Sequence, residues 1–501
     1  MDRKKKKPDL GHFLLIAGIA LVSLWSGCQP AREDPARLDV DETADRDYGD
    51  ESALLNNTLR IDISEISLTL TYHPDAAIVD GYSRVRFTMR PGQKRPLVHF
   101  NPAARGQVIQ YLQLDDRVWL NPADGIRVRQ FDGSTQQAIE IQQDVDEKSE
   151  HLLTIGYRLQ FAAGYPMFIT QVNDIQGMGN EEIFPTINTP HELIRHLITL
   201  QVDSAAPYRC LGSGLVKKTD NSSMQEWTLD SENQVASYTI MFALAPQADT
   251  LYQERVIAGI PVRVIAFTGG ASIADACAEL DLWLPQLFAE IAPFPMPRGL
   301  SIFLTNSGGG MEYYGGTITS LTALSHEVFH MYFGCSAVAS TYRDSWWDEA
   351  ITSWYDRTYP TYLIPINEDF QSNIVSGRSP IAIGFDTRAY YQGTQIMETM
   401  AQRLGGRAAM TRFLSQVYRD HAWAPFASMD LADYFRVYSG IDIRADFRNW
   451  FYRGSATAST TVSSPIPEEK KVNLTPPAAI LEKYRSPGEK PPNQRRIADE
   501  N

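Results

Sequence analysis

Residues 326–330 read His326-Glu327-Val328-Phe329-His330. On a helix the two histidines lie one turn apart and point the same way. Two neutral imidazoles placed like this can hold one Zn²⁺, and the glutamate beside the first can take a proton from water activated there. The same pattern arises on ordinary helices, where it is a solvated face with two histidines of no special role. A catalytic zinc site also needs a third protein ligand and an open position. Glu349, in Trp346-Trp347-Asp348-Glu349-Ala350, is the natural candidate, with 18 residues between it and His330 (349 − 330 − 1). That interval lets one helix end, a loop turn and a second helix carry Glu349 back to the histidines.

The surroundings strengthen the zinc reading. Ile302–Leu304 is strand-like, and the run Gly308-Gly309-Gly310-Met311-Glu312-Tyr313-Tyr314-Gly315-Gly316 precedes the histidines by about one strand. A phosphate-binding loop is excluded there, because no lysine follows the glycines. Four elements together resemble the aminopeptidase N family of zinc metallopeptidases, within the gluzincins. They are Gly309-Gly310-Met311-Glu312-Tyr313, then His326 through Gly334 for H-E-x-x-H-x-x-F-G, then Glu349, then Tyr390-Tyr391-Gln392-Gly393 for Y-x-x-G.

The resemblance implies one zinc ion per chain, held by His326, His330 and Glu349, with Glu327 as general base. It makes Tyr390 the donor to the oxyanion, with Tyr391 beside it as the obvious misassignment. It gives Glu312 the free α-ammonium of a peptide, next to Gly309, Gly310 and Met311 on the substrate side, and Gln171 a place in the cleft. The implied activity is that of an aminopeptidase trimming single residues. The sequence departs from the commoner family forms at Tyr313, Asp348 and Ala350, where Asn, Asn and Gly are usual.

Other readings come from different classes. Thr352-Ser353-Trp354-Tyr355 resembles an element of the glycyl aminopeptidases, and an endopeptidase gluzincin would carry the same ligands. A hydrolase of a non-peptide substrate would show the same zinc chemistry. A non-catalytic envelope lipoprotein that binds peptides would keep the zinc ligands but has no use for Glu327.

The ends of the chain read as targeting and tether. Arg3 to Lys7 is basic, Phe13–Trp25 is apolar but too short for a comfortable membrane span, and Leu24-Trp25-Ser26-Gly27-Cys28 resembles a bacterial lipobox. Residues 1–27 are therefore expected to be a lipoprotein-type signal peptide and Cys28 the lipidation site. The expected location is the bacterial cell envelope, lipid-anchored at the outer membrane and facing the periplasm or the cell surface. Residues 28–53 are polar and acidic, a disordered tether, and residues 455–501 are a low-complexity tail. The net charge of −14 and the absence of a Lys/Arg cluster in the folded part argue against nucleic acid as a partner. Beyond Cys28, the spacing of Cys210, Cys277 and Cys335 suggests buried free thiols rather than a disulfide framework.

A chain of 501 residues exceeds the usual single domain. Residues 54–248 alternate in short runs between turns, which predicts an antiparallel β sandwich or saddle. Arg60–Tyr72 is one such run, with a slip in its alternation between Ile63 and Ile66. Residues 249–454 predict a thermolysin-like α+β catalytic domain, the architecture that the resemblance implies. Its expected elements are a helix over 271–292 containing Pro285, strands at 299–305 and 317–321, and helices over 389–404, 407–417, 431–438 and 443–452.

Overall fold

The structure, a computed structural model, describes residues 59–101, 108–130, 137–160, 167–170, 179–219, 224–296, 298–306, 308–367, 370, 372, 374–375 and 387–452. Cys28 and Gln171, the tether and the tail lie outside them. The described residues all belong to the compact unit Glu51–Asn501.

Its first half is built on one eight-stranded sheet. The strands lie side by side in the order Leu215–Thr219, Gln225–Ala236, Leu193–Val202, Ile61–His73, Ile78–Met89, His151–Gln160, Val108–Leu114 and Arg117–Val118. Neighbours run antiparallel except at the centre, where Ile61–His73 pairs with Leu193–Val202 in parallel. The sheet is thus antiparallel-rich rather than wholly antiparallel. Alternation in Ile61–His73 buries Ile61, Ile63, Ile66, Leu68 and Leu70 on one face. The slip in that alternation is a β-bulge: the register against Ile78–Met89 shifts between Ile63 and Glu65. Two three-stranded sheets accompany it, one of Leu97–His99, Gln137–Ile141 and Ile126–Gln130, the other of Tyr208–Gly212, Phe242–Pro246 and Phe168–Ile169.

Within this half Ser237–Thr239 is a 3₁₀ turn, and the strand Phe242–Pro246 follows it. Asn180 breaks the ladder, because its side-chain amide donates to the carbonyls of Ser237 (2.5 Å) and Ile240 (3.1 Å). Thr239 Oγ1 also turns back to the Ala236 carbonyl at 2.8 Å.

The second half opens with a five-stranded mixed sheet. Its strands lie in the order Thr250–Ile257, Ile260–Phe267, Leu300–Leu304, Gly316–Thr319 and Gly310–Tyr313. Helices α1 (Ile273–Glu290), α2 (Leu324–Phe329), α3 (Trp346–Asp356), α4 (Thr394–Arg403), α5 (Arg407–His421), α6 (Ser428–Ser439) and α7 (Arg444–Tyr452) follow the expected pattern. The glycine run contains the edge strand Gly310–Tyr313. Cys277 and Cys335 are buried and Cys210 is half-buried, and none of the three is in a disulfide among the described residues. Among the described residues no helix is long and apolar enough to cross a membrane.

One apolar cluster runs from the inner face of the large sheet (Ile61, Leu68, Ile155) to the helices (Leu284, Trp346, Trp354). A smaller one joins Met241 and Ala243 of the first half to Phe303, Met311 and Ile318 of the second. The edge strand with Glu312 and the two helices α2 and α3 are therefore held by core on both sides.

Candidate metal centre and cleft

Helix α2 carries His326 and Glu327 and ends at His330, shorter than the motif alone suggests. Its end is forced by the next four residues. The amides of Met331 and Tyr332 close tight turns onto Val328 and Phe329, and Cys335 N–H returns to the His330 carbonyl at 3.0 Å. Gly334 sits at φ +119°, and a Cβ there would lie 3.2 Å from His330 Nδ1. The position therefore admits glycine on two counts. The same turn brings the Phe333 carbonyl within 3.0 Å of His330 Nδ1.

Helix α3 brings back Glu349 in its first turn. The Asp348 carboxylate accepts the Glu349 amide at 2.5 Å. Three donor atoms now meet: His326 Nε2 and Glu349 Oε2 are 3.0 Å apart, His326 Nε2 and His330 Nε2 3.2 Å, and His330 Nε2 and Glu349 Oε2 3.3 Å. A tetrahedral ion with bonds near 2.05 Å has ligand–ligand edges of about 3.3 Å. The triangle is one face of such a tetrahedron, so the residues fit a zinc ion. All three side chains are buried.

Partners on the far side fix the histidines. His330 Nδ1–H donates to the Phe333 carbonyl, which leaves Nε2 as the lone-pair nitrogen. His326 Nδ1 lies 2.8 Å from Asp356 Oδ2, the carboxylate–histidine arrangement that orients metal ligands. Thr358 buttresses Asp356, its amide donating to Oδ1 (2.8 Å) and its hydroxyl to Oδ2 (2.5 Å). Burial alone would depress His326, but Asp356 and Glu349 outweigh it and push the imidazole up to about 10. The site is thus built to hold positive charge, as a proton or as a cation. Asp356 and Thr358 are absent from the sequence reading. A signal for Asp356 exists: it lies seven residues after Glu349, two turns along the same helix face.

Tyr390 is in a single π-turn, Ala389–Gly393, that precedes α4 where an uninterrupted helix was expected. Such bulges recur at functional sites. Its hydroxyl donates to Glu349 Oε1 at 2.8 Å, and burial first, then Glu349, raises the phenol well above its ordinary range. Tyr391 points elsewhere, its ring against Tyr362 at 5.4 Å. Gly393 allows the close approach, because a Cβ there would lie 2.6 Å from Ala350 Cβ on α3.

The edge strand Gly310–Tyr313 lies against the same centre. Its alternation sends Met311 into the smaller core cluster and Glu312 toward the metal side. Glu312, Glu327 and His330 each bring a ligand atom within 4.8 Å of the others. Gly310 faces Glu327, whose Cγ would be 2.3 Å from an added Cβ. Gly309 is buried beside it, its carbonyl accepting the Ser320 amide at 3.1 Å. A cleft opens onto this centre, lined by Thr322, Ala323, His326, Glu327, Thr358, Tyr359 and Tyr390. Of the residues singled out from sequence, His326, Glu327, His330, Glu349, Tyr390, Glu312 and Gly310 are brought together, and Met311 is turned away.

Solved structures share this arrangement of the chain. An M1 zinc metallopeptidase from Deinococcus radiodurans superposes with a TM-score of 0.58 at 16% identity, covering 83% of this chain and 96% of that one. A mutant of it bound to a Tyr-Ser-Ala substrate gives 0.57 at 16%, covering 78% and 94%. A two-domain M1 zinc metallopeptidase mutant bound to L-tryptophan gives 0.59 at 15%, covering 78% and 94%. The fold is that of the M1 zinc metallopeptidases. At the level of sequence, no family model and no curated protein matches the chain. Within the M1 fold, the large sheet forms the first half and the helices bearing the candidate zinc ligands form the second.

Proposed function

We propose that this chain is a zinc peptidase of the M1, or aminopeptidase N, kind, and that it removes N-terminal residues from peptides. The observation that carries the reading is the triangle of His326, His330 and Glu349 donors, with Glu327 and Tyr390 at its rim. Zinc bound there would polarise a scissile carbonyl and lower the pKa of water.

The chain's own residues do the rest. Glu327 takes the proton of the attacking water and returns it to the leaving amine. Tyr390, kept protonated by its burial, turns its hydroxyl from Glu349 to the developing oxyanion. Glu312, a buried carboxylate on the edge strand, meets the α-ammonium of the substrate and favours a free N-terminus. Cys28 acylation would tether the enzyme to a bacterial envelope membrane, with peptides as its substrates.

The test is turnover of a panel of aminoacyl-fluorophore substrates by zinc-loaded protein beside Glu327→Gln. Activity in wild type, lost in the variant at unchanged zinc content, supports the peptidase. Glu312→Gln should then raise KM for substrates with a free N-terminus and spare N-blocked ones. One zinc per chain with no turnover on any substrate would sink the aminopeptidase reading.

A further inference from the structure

We infer that Tyr238 is a positioning residue for His330, acting from the half of the chain that supplies no metal ligand; the inference rests on the metal-centre reading above. Two consecutive carbonyls carry it. Phe333 C=O accepts His330 Nδ1–H at 3.0 Å, and the next, Gly334 C=O, accepts the Tyr238 hydroxyl at 3.1 Å.

The turn that holds both carbonyls has little room to adjust. Gly334 N–H donates to Ala337 C=O at 2.8 Å and Cys335 N–H to His330 C=O at 3.0 Å. Gly334 itself has φ +119°, and a Cβ there would lie 3.2 Å from the imidazole it follows. A shift of the Gly334 carbonyl therefore moves the Phe333 carbonyl, and with it the acceptor that sets the His330 ring. Tyr238 is 4% exposed, and its ring packs on Tyr342 with centroids 6.0 Å apart. Its hydroxyl is thus delivered by a fixed ring.

The same 3₁₀ turn also grips the end of the edge strand. Thr239 C=O, one residue on, accepts the Tyr314 amide at 2.7 Å, next to the end of the Glu312 strand. Asn233 Nδ2 reaches the Tyr314 hydroxyl at 3.0 Å. One short turn of the first half is fastened to the metal side through Tyr238 and to the substrate side through Thr239.

The experiment measures Zn²⁺ affinity of the full chain by chelator competition in wild type, Tyr238→Phe and Asn233→Ala. Tyr238→Phe should bind zinc about tenfold more weakly, the lower end of what outer-shell partners give. The visible absorption of its Co²⁺-substituted form should shift. Asn233→Ala should keep wild-type affinity. If Tyr238→Phe lowers only Tm, with zinc affinity and the Co²⁺ spectrum unchanged, Tyr238 is ordinary packing and the inference fails. If wild type binds no zinc, the metal-centre reading falls and takes this one with it. Hydrogen exchange on wild type needs no variant. Removing zinc should speed exchange in residues 237–241 but not in Thr250–Ile257, because the coupling is reciprocal. Unchanged exchange at 237–241 would overturn the inference.

Discussion

Asp356 lies on the Nδ1 side of His326, away from the Nε2 that faces Glu349 and His330. It fixes the tautomer and the ring of His326 through a 2.8 Å contact. Asp356→Ala is expected to weaken zinc binding about 10- to 100-fold, read by chelator competition. Gly310→Ala should act differently. Its Cβ would lie 2.3 Å from Glu327 Cγ and push the base aside. The expected outcome is a fall in kcat at unchanged zinc content, and equal loss of zinc would contradict it. At this scale the sequence was legible wherever function follows from spacing along one helix: His326, Glu327, His330. Glu349 needed the added premise that the chain turns back. Thr358 was not legible, since it reaches Asp356 only after Arg357 takes a left-handed conformation (φ 62°) and ends α3.

Elements set what these residues can reach. The π-turn carrying Tyr390 lies on α3 because Gly393 meets Ala350. Gly393→Ala should lift that turn and draw Tyr390 from Glu349. A drop in kcat of about 10²-fold is expected, the scale of one lost oxyanion donor, with zinc affinity little changed. Helix α3 is in turn anchored by aromatic packing: Trp347 stacks on Phe426 (centroids 4.1 Å, 17°), and Trp346 Nε1–H donates to Ser428 Oγ at 2.8 Å. Trp347→Ala should cost roughly 3–5 kcal/mol in denaturant unfolding. The helices α1 and α4 to α7 were readable from apolar periodicity within a few residues. The π-turn was not, because its register is set by α3. Nor was the break at Ser237, which is imposed by Asn180, 57 residues earlier.

For the whole molecule, charge and topology govern stability. Glu140 accepts hydrogen bonds from Arg60 (2.7 Å), Arg129 (2.8 Å) and Gln142 (3.0 Å), tying the start of the large sheet to the smaller one. Burial alone would raise its pKa, but Gln142, Arg129 and Arg60 outweigh it and hold the carboxyl at about 2. A folded-state pKa below the unfolded one stabilises above the unfolded value, and that contribution is lost as pH falls toward 2. The stability gap between wild type and Glu140→Gln should therefore be constant above about pH 5.5 and shrink on acidification; a gap that widens would refute the assignment. The β-then-α+β order of the chain was visible in its patterning. The parallel pairing at the centre of the large sheet was not, since alternation tells which face is buried and is silent on which strand lies alongside.

That parallel pair has a consequence for how the chain is made. Thr71 meets Gln201 across 130 residues of sequence. A chain emerging from its N-terminus forms the Ile61–Met89 hairpin early and must then wait for Leu193–Val202 before the open edge of Ile61–His73 is covered. Contacts of such long reach fold slowly, and an uncovered strand edge invites pairing with other chains. The interval between those two strands is when a growing chain most needs a chaperone.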